Sequence, residues 1–206
     1  ASQPNQAGGE AGTKDGQSWP FEYTIESMLF ADAVGYSRLT EAQVPLFFEH
    51  YMGTIAEYTE GTGHKALHSE TAGDGMYMVF DDPGTAGRFA LELSELVVNR
   101  HWPDYGLPED LCVRIGLHCG PVFIATAPIT RQRLYSGVHT SRTARIEPIT
   151  PPGQVYASSA FAAVATASGV QGLRFSYIGR TQLAKSYGVL PLYHVKPAQR
   201  GPLLLV

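Results

Sequence analysis

Residues 24–37 run Thr-Ile-Glu-Ser-Met-Leu-Phe-Ala-Asp-Ala-Val-Gly-Tyr-Ser. The first part of this stretch, from Thr24 to Asp32, closes on a compact apolar run, the pattern of a buried strand. The strand ends on a carboxylate, Asp32, and small residues follow it up to Gly35. A helix-entry signal comes next: Thr40-Glu41-Ala42-Gln43 fits a capping box in which the fourth residue reaches back to the first. Val44, Phe47, Phe48, Tyr51, Ile55 and Tyr58 then recur at helical spacing, and Pro45 falls early enough in that helix to be tolerated. An acid at a strand end, followed by a small-residue loop and a helix, suits a hard cation. Backbone N–H groups of Ala33, Val34, Gly35 and Tyr36 can then turn toward phosphate oxygens.

Outward from this stretch, residues 65–70 and 75–80 flank Ala72-Gly73-Asp74 and predict a hairpin with an acid at its tip. A second helix is expected over 85–98, with Ala86, Phe89, Ala90, Leu93 and Val97 on one face. Residues 110–121 form a strand that 122–127 either continue or return. Helix is expected at 141–147, stopped by Pro148 and Pro152. Strands at 154–158, 173–178 and 192–195, with an Ala-rich helix after the first, complete the order. The succession β-α-β-β-α-β followed by smaller elements predicts a ferredoxin-like α+β core with an antiparallel sheet. Residues 1–20, rich in Gly, Gln, Ser and Ala, predict a flexible tail or linker, leaving 21–206 as one domain.

Composition excludes several classes. A net charge of −4, with scattered Arg and Lys, argues against nucleic-acid and membrane-surface partners, which favour a basic excess. The aromatic-basic strand motif of ferredoxin-like RNA binders is missing as well. Cys112 and Cys119 lie seven apart in one strand, so they face opposite sides and cannot bridge each other. Free thiols, no apolar run long enough to span a bilayer and no signal-peptide pattern point to the cytoplasm.

By position alone, Asp32 and Asp74 could be turn or cap residues. Their surroundings decide otherwise. Phe30-Ala31-Asp32-Ala33-Val34-Gly35-Tyr36-Ser37 closely resembles the F-A-D-I-x-G-F-S signature of the class III adenylate and guanylate cyclases. Gly73-Asp74 with Met78-Val79-Phe80, 42 residues further on, resembles their second metal motif. Val113–Val122 is similar to the family strand R-I-G-I-H-T-G-P-V, and Thr143-Ala144-Arg145-Ile146-Glu147 with Pro152-Gly153-Gln154-Val155 to A-A-R-I-E…P-G-Q-V. The likeness runs from about Ile25 to Val195.

This resemblance implies a nucleotide cyclase that works as a head-to-tail homodimer with two composite sites. In it Asp32, Asp74 and the backbone at Ala33 would hold two Mg²⁺ or Mn²⁺ ions, and residues Val34, Gly35, Tyr36 and Ser37 would meet the phosphates. Arg145, from the second copy, would stabilise charge at the α-phosphate through its rigid guanidinium fork. Ser141 stands where the family keeps an Asn that orients the ribose, a shorter group with fewer contacts. Lys185 lies near the family's triphosphate lysine. Glu70 and Leu134 stand where ATP-using members carry Lys and Asp for the base. A carboxylate cannot donate to adenine N1, so GTP or a pyrimidine triphosphate is expected, and bacterial pyrimidine cyclases of anti-phage signalling are one alternative. A catalytically degenerate module that binds nucleotide or a partner without turnover is another, suggested by Ser141 and Leu134.

Overall fold

The computed structural model describes residues 22–198; the tail expected over 1–20 lies outside them. The opening stretch is a long central strand, β1 (Glu22–Val34). After it come α1 (Gln43–Leu46), a π-helical segment (Phe47–Met52) and α2 (Gly53–Gly61), stacked as one helix. Gln43 Oε1 accepts from both the N–H and the hydroxyl of Thr40, at 3.1 Å each, which is the reach-back half of the expected capping box. Phe47, Tyr51 and Ile55 are buried, as their spacing requires, whereas Phe48 is half-exposed.

The hairpin of β2 (His68–Ala72) and β3 (Gly75–Phe80) leads into α3 (Pro83–Val98). Asp82 caps that helix by accepting the Thr85 N–H at 2.8 Å, and Pro83 occupies a first-turn position where no N–H is needed. Residues 112–126 form one continuous strand, β4 (Cys112–Thr126), so the stretch after Pro121 continues rather than returns. The return is a short strand that the sequence did not announce, β5 (Arg133–Ser136). Helix α4 (Val138–Ile146) starts three residues earlier than expected and runs into a 3₁₀ turn at Glu147–Ile149. The chain closes with β6 (Val155–Ser158), α5 (Ser159–Ala167), β7 (Leu173–Gln182) and β8 (Val189–Pro197).

The sheet order is β2-β3-β1-β4-β6-β8-β7, with β5 pairing on β4. Its first four strands are the split βαββαβ core the succession predicts, all antiparallel. The expected antiparallel sheet has one exception, since β6 runs parallel to β4. Helix α4 makes the crossover that a parallel pair needs.

Strand parity sorts the sheet into two faces. Leu29, Ala31 and Ala33 of β1 and Val113, Ile115, Leu117 and Cys119 of β4 point toward the main core, where α3 buries Phe89, Ala90, Leu93 and Val97. The even residues face the other way. Met28 and Phe30 of β1 join Tyr77, Val79, Val122, Ile124 and Tyr135 in a second cluster. Cys112 and Cys119 therefore sit on opposite faces, and both are free. Among the described residues no helix is long and apolar enough to cross a membrane.

Helix α4 lies on the even face, and β4 is cut to receive it. A Cβ on Gly116 would stand 2.7 Å from the Glu147 backbone N, and one on Gly120 would stand 2.2 Å from His139 Nδ1. Between these two notches rises His118. Backbone cannot swing aside as a flexible side chain can, so Gly116 is the less forgiving of the two. Gly116→Ala is expected to destabilise the fold by about 1–3 kcal/mol in urea unfolding. Gly61→Ala, where the added methyl meets open space, is expected to cost nothing or to stabilise slightly.

Candidate active site

Antiparallel pairing of β1 with β3 sets Asp32 opposite Gly75, the residue after Asp74. Gly73 makes the tight turn possible with a φ of 65°, a left-handed conformation that favours glycine. The Ala33 N–H donates to the Asp74 carbonyl at 3.4 Å, tying the hairpin tip to the end of β1. As a result the two carboxyl groups meet. Burial pushes the Asp74 carboxyl above the usual range, and Asp32 adds to this by charge and by a side-chain hydrogen bond. Two acids held against their mutual repulsion at the edge of a cleft form a site built for positive charge.

Part of that charge comes from the chain itself. Arg114 pairs with Asp32 across β1 and β4, and its Nη2 donates to Asp32 Oδ2 at 2.7 Å. Its Nε donates to Glu147 Oε1, at the foot of α4. Burial pushes Glu147 up to about 7, with Asp32 and Asp74 adding to the rise and Arg114 opposing it. Sequence reasoning missed both Arg114 and Glu147. The available signal was an arginine inside an otherwise apolar strand, Val113-Arg114-Ile115, facing the same side as Asp32.

The cleft beside these groups has a volume of about 370 Å³ and reaches from Asp32 and Glu147 to Glu70 and Leu134. The fold thus gathers Asp32, Glu70 and Leu134, three of the residues singled out in the sequence, around one cleft. Phe30 and Tyr77 line it too, stacked with ring centroids 4.6 Å apart. The Tyr77 hydroxyl donates to the Tyr135 carbonyl at 3.1 Å, which fixes the ring. Phe30 is therefore a cleft wall as well as a packing residue. Tyr36 packs on Phe47 at 4.7 Å, away from base-stacking work.

The expected phosphate loop needs correction at its first two residues. The Ala33 N–H is taken by the Asp74 carbonyl, and both Ala33 and Val34 still pair with β4, so the strand persists two residues past Asp32. The open turn begins only at Gly35, with φ 104°, and continues as a 3₁₀ turn over Tyr36–Arg38 that includes Ser37. Ser141 and Arg145 both lie on α4, Ser141 exposed and Arg145 half-buried. Lys185 is exposed in a 3₁₀ turn (Ala184–Ser186). That turn docks beside the start of α4, where the Tyr187 hydroxyl donates to the Val138 carbonyl at 3.2 Å. Ser141 and Arg145 thus share α4, whose Thr140 and following Glu147 line the same cleft as Asp32, while the Lys185 turn packs near the start of that helix.

Among the described residues no group of three or more His, Cys, Asp or Glu side chains converges as a self-sufficient metal cage. Two carboxylates are nonetheless the donor set that Mg²⁺ prefers when substrate phosphates and water complete its shell. The raised Asp74 carboxyl fits that use, because a cation would relieve the repulsion that raises it.

Fold and site together define a nucleotide cyclase domain. The sequence model of the adenylate and guanylate cyclase catalytic domain matches residues 22–195, and the chain belongs to that family. An adenylate cyclase of Streptomyces coelicolor is 31% identical over 137 residues, 65% of this chain and 32% of that protein. The receptor-type guanylate cyclase gcy-6 of Caenorhabditis elegans is 24% identical over 149 residues, 68% of this chain and 14% of that protein. The chain thus spans a third or less of these curated relatives. The adenylyl cyclase CyaB from P. aeruginosa shares the fold, with a TM-score of 0.71 at 14% identity over 88% of this chain and 98% of that one.

The displaced Glu147 carboxyl gives a pH signature. Its folded value near 7 exceeds the ordinary 4.5, so the folded state holds an extra proton between those limits. That contribution to stability is whole below pH about 4.5 and is lost as pH rises through about 7. Glu147→Gln is expected to flatten the fall in urea-unfolding free energy between pH 5 and 8 by on the order of 2 kcal/mol.

Proposed function

We propose that this chain is the catalytic domain of a homodimeric, divalent-metal-dependent cyclase acting on a nucleoside triphosphate other than ATP, with GTP its leading substrate. The supporting observation is the meeting of Asp32 and Asp74 at the edge of a cleft that also holds Glu70. The 3′-hydroxyl oxygen attacks the α-phosphorus, its proton is released, the bond to the bridging oxygen breaks, and pyrophosphate leaves. Two bound Mg²⁺ or Mn²⁺ ions would supply acidity at that hydroxyl and neutralise the departing charge. Asp32, Asp74 and the Ala33 carbonyl would hold them. Arg114, anchored by Glu147, steadies the Asp32 carboxylate. Residues 35–37 line the triphosphate through the Gly35 turn. From the second copy, Arg145 braces the α-phosphate, Ser141 orients the ribose and Lys185 meets the outer phosphates.

Base choice follows from hydrogen-bond polarity. The Glu70 carboxylate accepts two N–H donors from the Watson–Crick edge of guanine, while Leu134 packs the ring without polar contact. Against adenine the same carboxylate faces the N1 acceptor, a mismatch worth about 1–3 kcal/mol. A second reading, UTP or CTP as in anti-phage pyrimidine cyclases, is favoured by cleft size. At about 370 Å³, narrowed by the Phe30–Tyr77 stack, the cleft lies near the small end of ligand sites.

Incubating the pure chain with each of the four triphosphates and Mn²⁺, then identifying products by mass spectrometry, separates these readings. Cyclic GMP is expected as the main product, with Asp32→Ala and Asp74→Ala each lowering kcat at least about 10³-fold in a chain that still folds. Cyclic UMP or CMP as the main product would select the second reading. No cyclic product from an intact dimer would make the chain a binding module instead.

A further inference from the structure

The mechanism above leaves two imidazoles unused, one buried and one partly buried. His118, 1% exposed, stands on the even face of β4 between the Gly116 and Gly120 notches. Its Nδ1 lies 2.6 Å from Ser158 Oγ, and its Nε2 lies 2.8 Å from Nδ1 of His139 on α4. The two rings are nearly parallel, tilted by 8°. Ser158 Oγ accepts the Phe161 N–H at 3.2 Å as the cap of α5, and its own proton, placed toward His118 Nδ1, completes that contact. That leaves the His118 Nε2–H to donate to His139 Nδ1. One unbroken chain of donors thus runs from the α5 N-terminus through β4 into α4.

Where this chain arrives matters. His139 lies two residues before Ser141 and six before Arg145, on the same helix. Its ring fits only because Gly120 has no side chain. Thr143 reinforces the seat, its hydroxyl donating to the His139 carbonyl at 2.8 Å and touching Met28 Sδ at 3.8 Å. At the other end of α4, Glu147 is held by Arg114 over Gly116. The helix is pinned at two points about two turns apart, one polar tether each. A helix free to slide or roll by an ångström would move both side chains it offers to a substrate.

We propose that the His118–His139 pair is a positioning clamp that fixes the height and roll of α4, and through it the placement of Ser141 and Arg145 during cyclisation. This rests on the cyclase reading above. Neutral rings suit this role. Burial and the charge of Arg142 hold both imidazoles below the ordinary histidine range, and His139 adds to the depression of His118, which falls to about 3. The groups facing the pair are Met28 from β1, Ser158 at the end of β6, and Arg142 and Thr143 from α4. None is a carboxylate, so nothing there stabilises an imidazolium and the clamp stays closed at neutral pH.

The test combines kinetics with a readout that needs no turnover. His139→Ala is expected to lower kcat by roughly 10²-fold while KM changes less than about threefold, the mark of a group that acts on the transition state through others. His139→Asn, whose side-chain oxygen replaces Nδ1 as acceptor, is expected to recover most of the loss. Imidazole ¹⁵N NMR of the wild-type chain at pH 7.5 is expected to show a protonated His118 Nε2 coupled to an unprotonated His139 Nδ1. Retention of kcat within twofold in His139→Ala, an equal loss in His139→Asn, or two exchanging, uncoupled rings would overturn the clamp. Absence of product from the wild type would instead remove the cyclase reading, and the NMR result would still judge the clamp.

Discussion

Everything in this molecule that resembles catalysis depends on one unfavourable proximity, two carboxylates from separate strands brought face to face. As carboxylates, Asp32 and Asp74 repel each other. They meet because β1 and β3 pair in a register that sets Asp32 against Gly75, and because the Asp74 carbonyl accepts the Ala33 N–H. The ladder energy of a central strand, buried on both faces, holds the repulsion in place. Arg114 offsets it in part from the next strand. On the proposed reading, positive charge entering the cleft with a substrate would complete the balance and make the pair a ligand-dependent centre rather than a structural ion pair.

The same strand, β4, serves both ends of the mechanism. Its even residues form a row in which Arg114 supports the acids, Gly116 and Gly120 admit α4, and His118 tethers it. Period-two alternation means that none of these residues touches the main core, where Val113, Ile115 and Leu117 do the packing. Stability and chemistry are divided between the two faces of one strand.

Much of this was legible in the sequence because it was local. The apolar run before Asp32, the Gly73–Asp74 turn and the reach-back half of the Thr40–Gln43 cap each depend on residues within a few positions of one another, and each is present, although the helix begins only at Gln43 with Ala42 as its N-cap. Pairings across the sheet were not legible. Arg114 stood in plain view inside a family-like motif, but its role is set by the β1–β4 register, 82 positions from its partner. Strand β5 was missed because four residues between loops carry too short an alternation to count. The phosphate loop was placed too early because the ladder extends past Asp32 to Val34, which only the pairing with Cys112 reveals. The histidine clamp needs three elements from distant parts of the chain, and no spacing announces it.

Turnover in a composite site requires the acids of one copy to work with the arginine of another. Subunit complementation measures this directly: chains carrying Asp74→Asn and chains carrying Arg145→Ala are assayed alone, then after mixing and re-equilibration. Each alone should be inactive, while the mixture should recover about one quarter of wild-type turnover, since half the dimers then hold one intact site of two. A mixture as silent as its parents, or appreciable activity in either parent alone, would rule out shared sites.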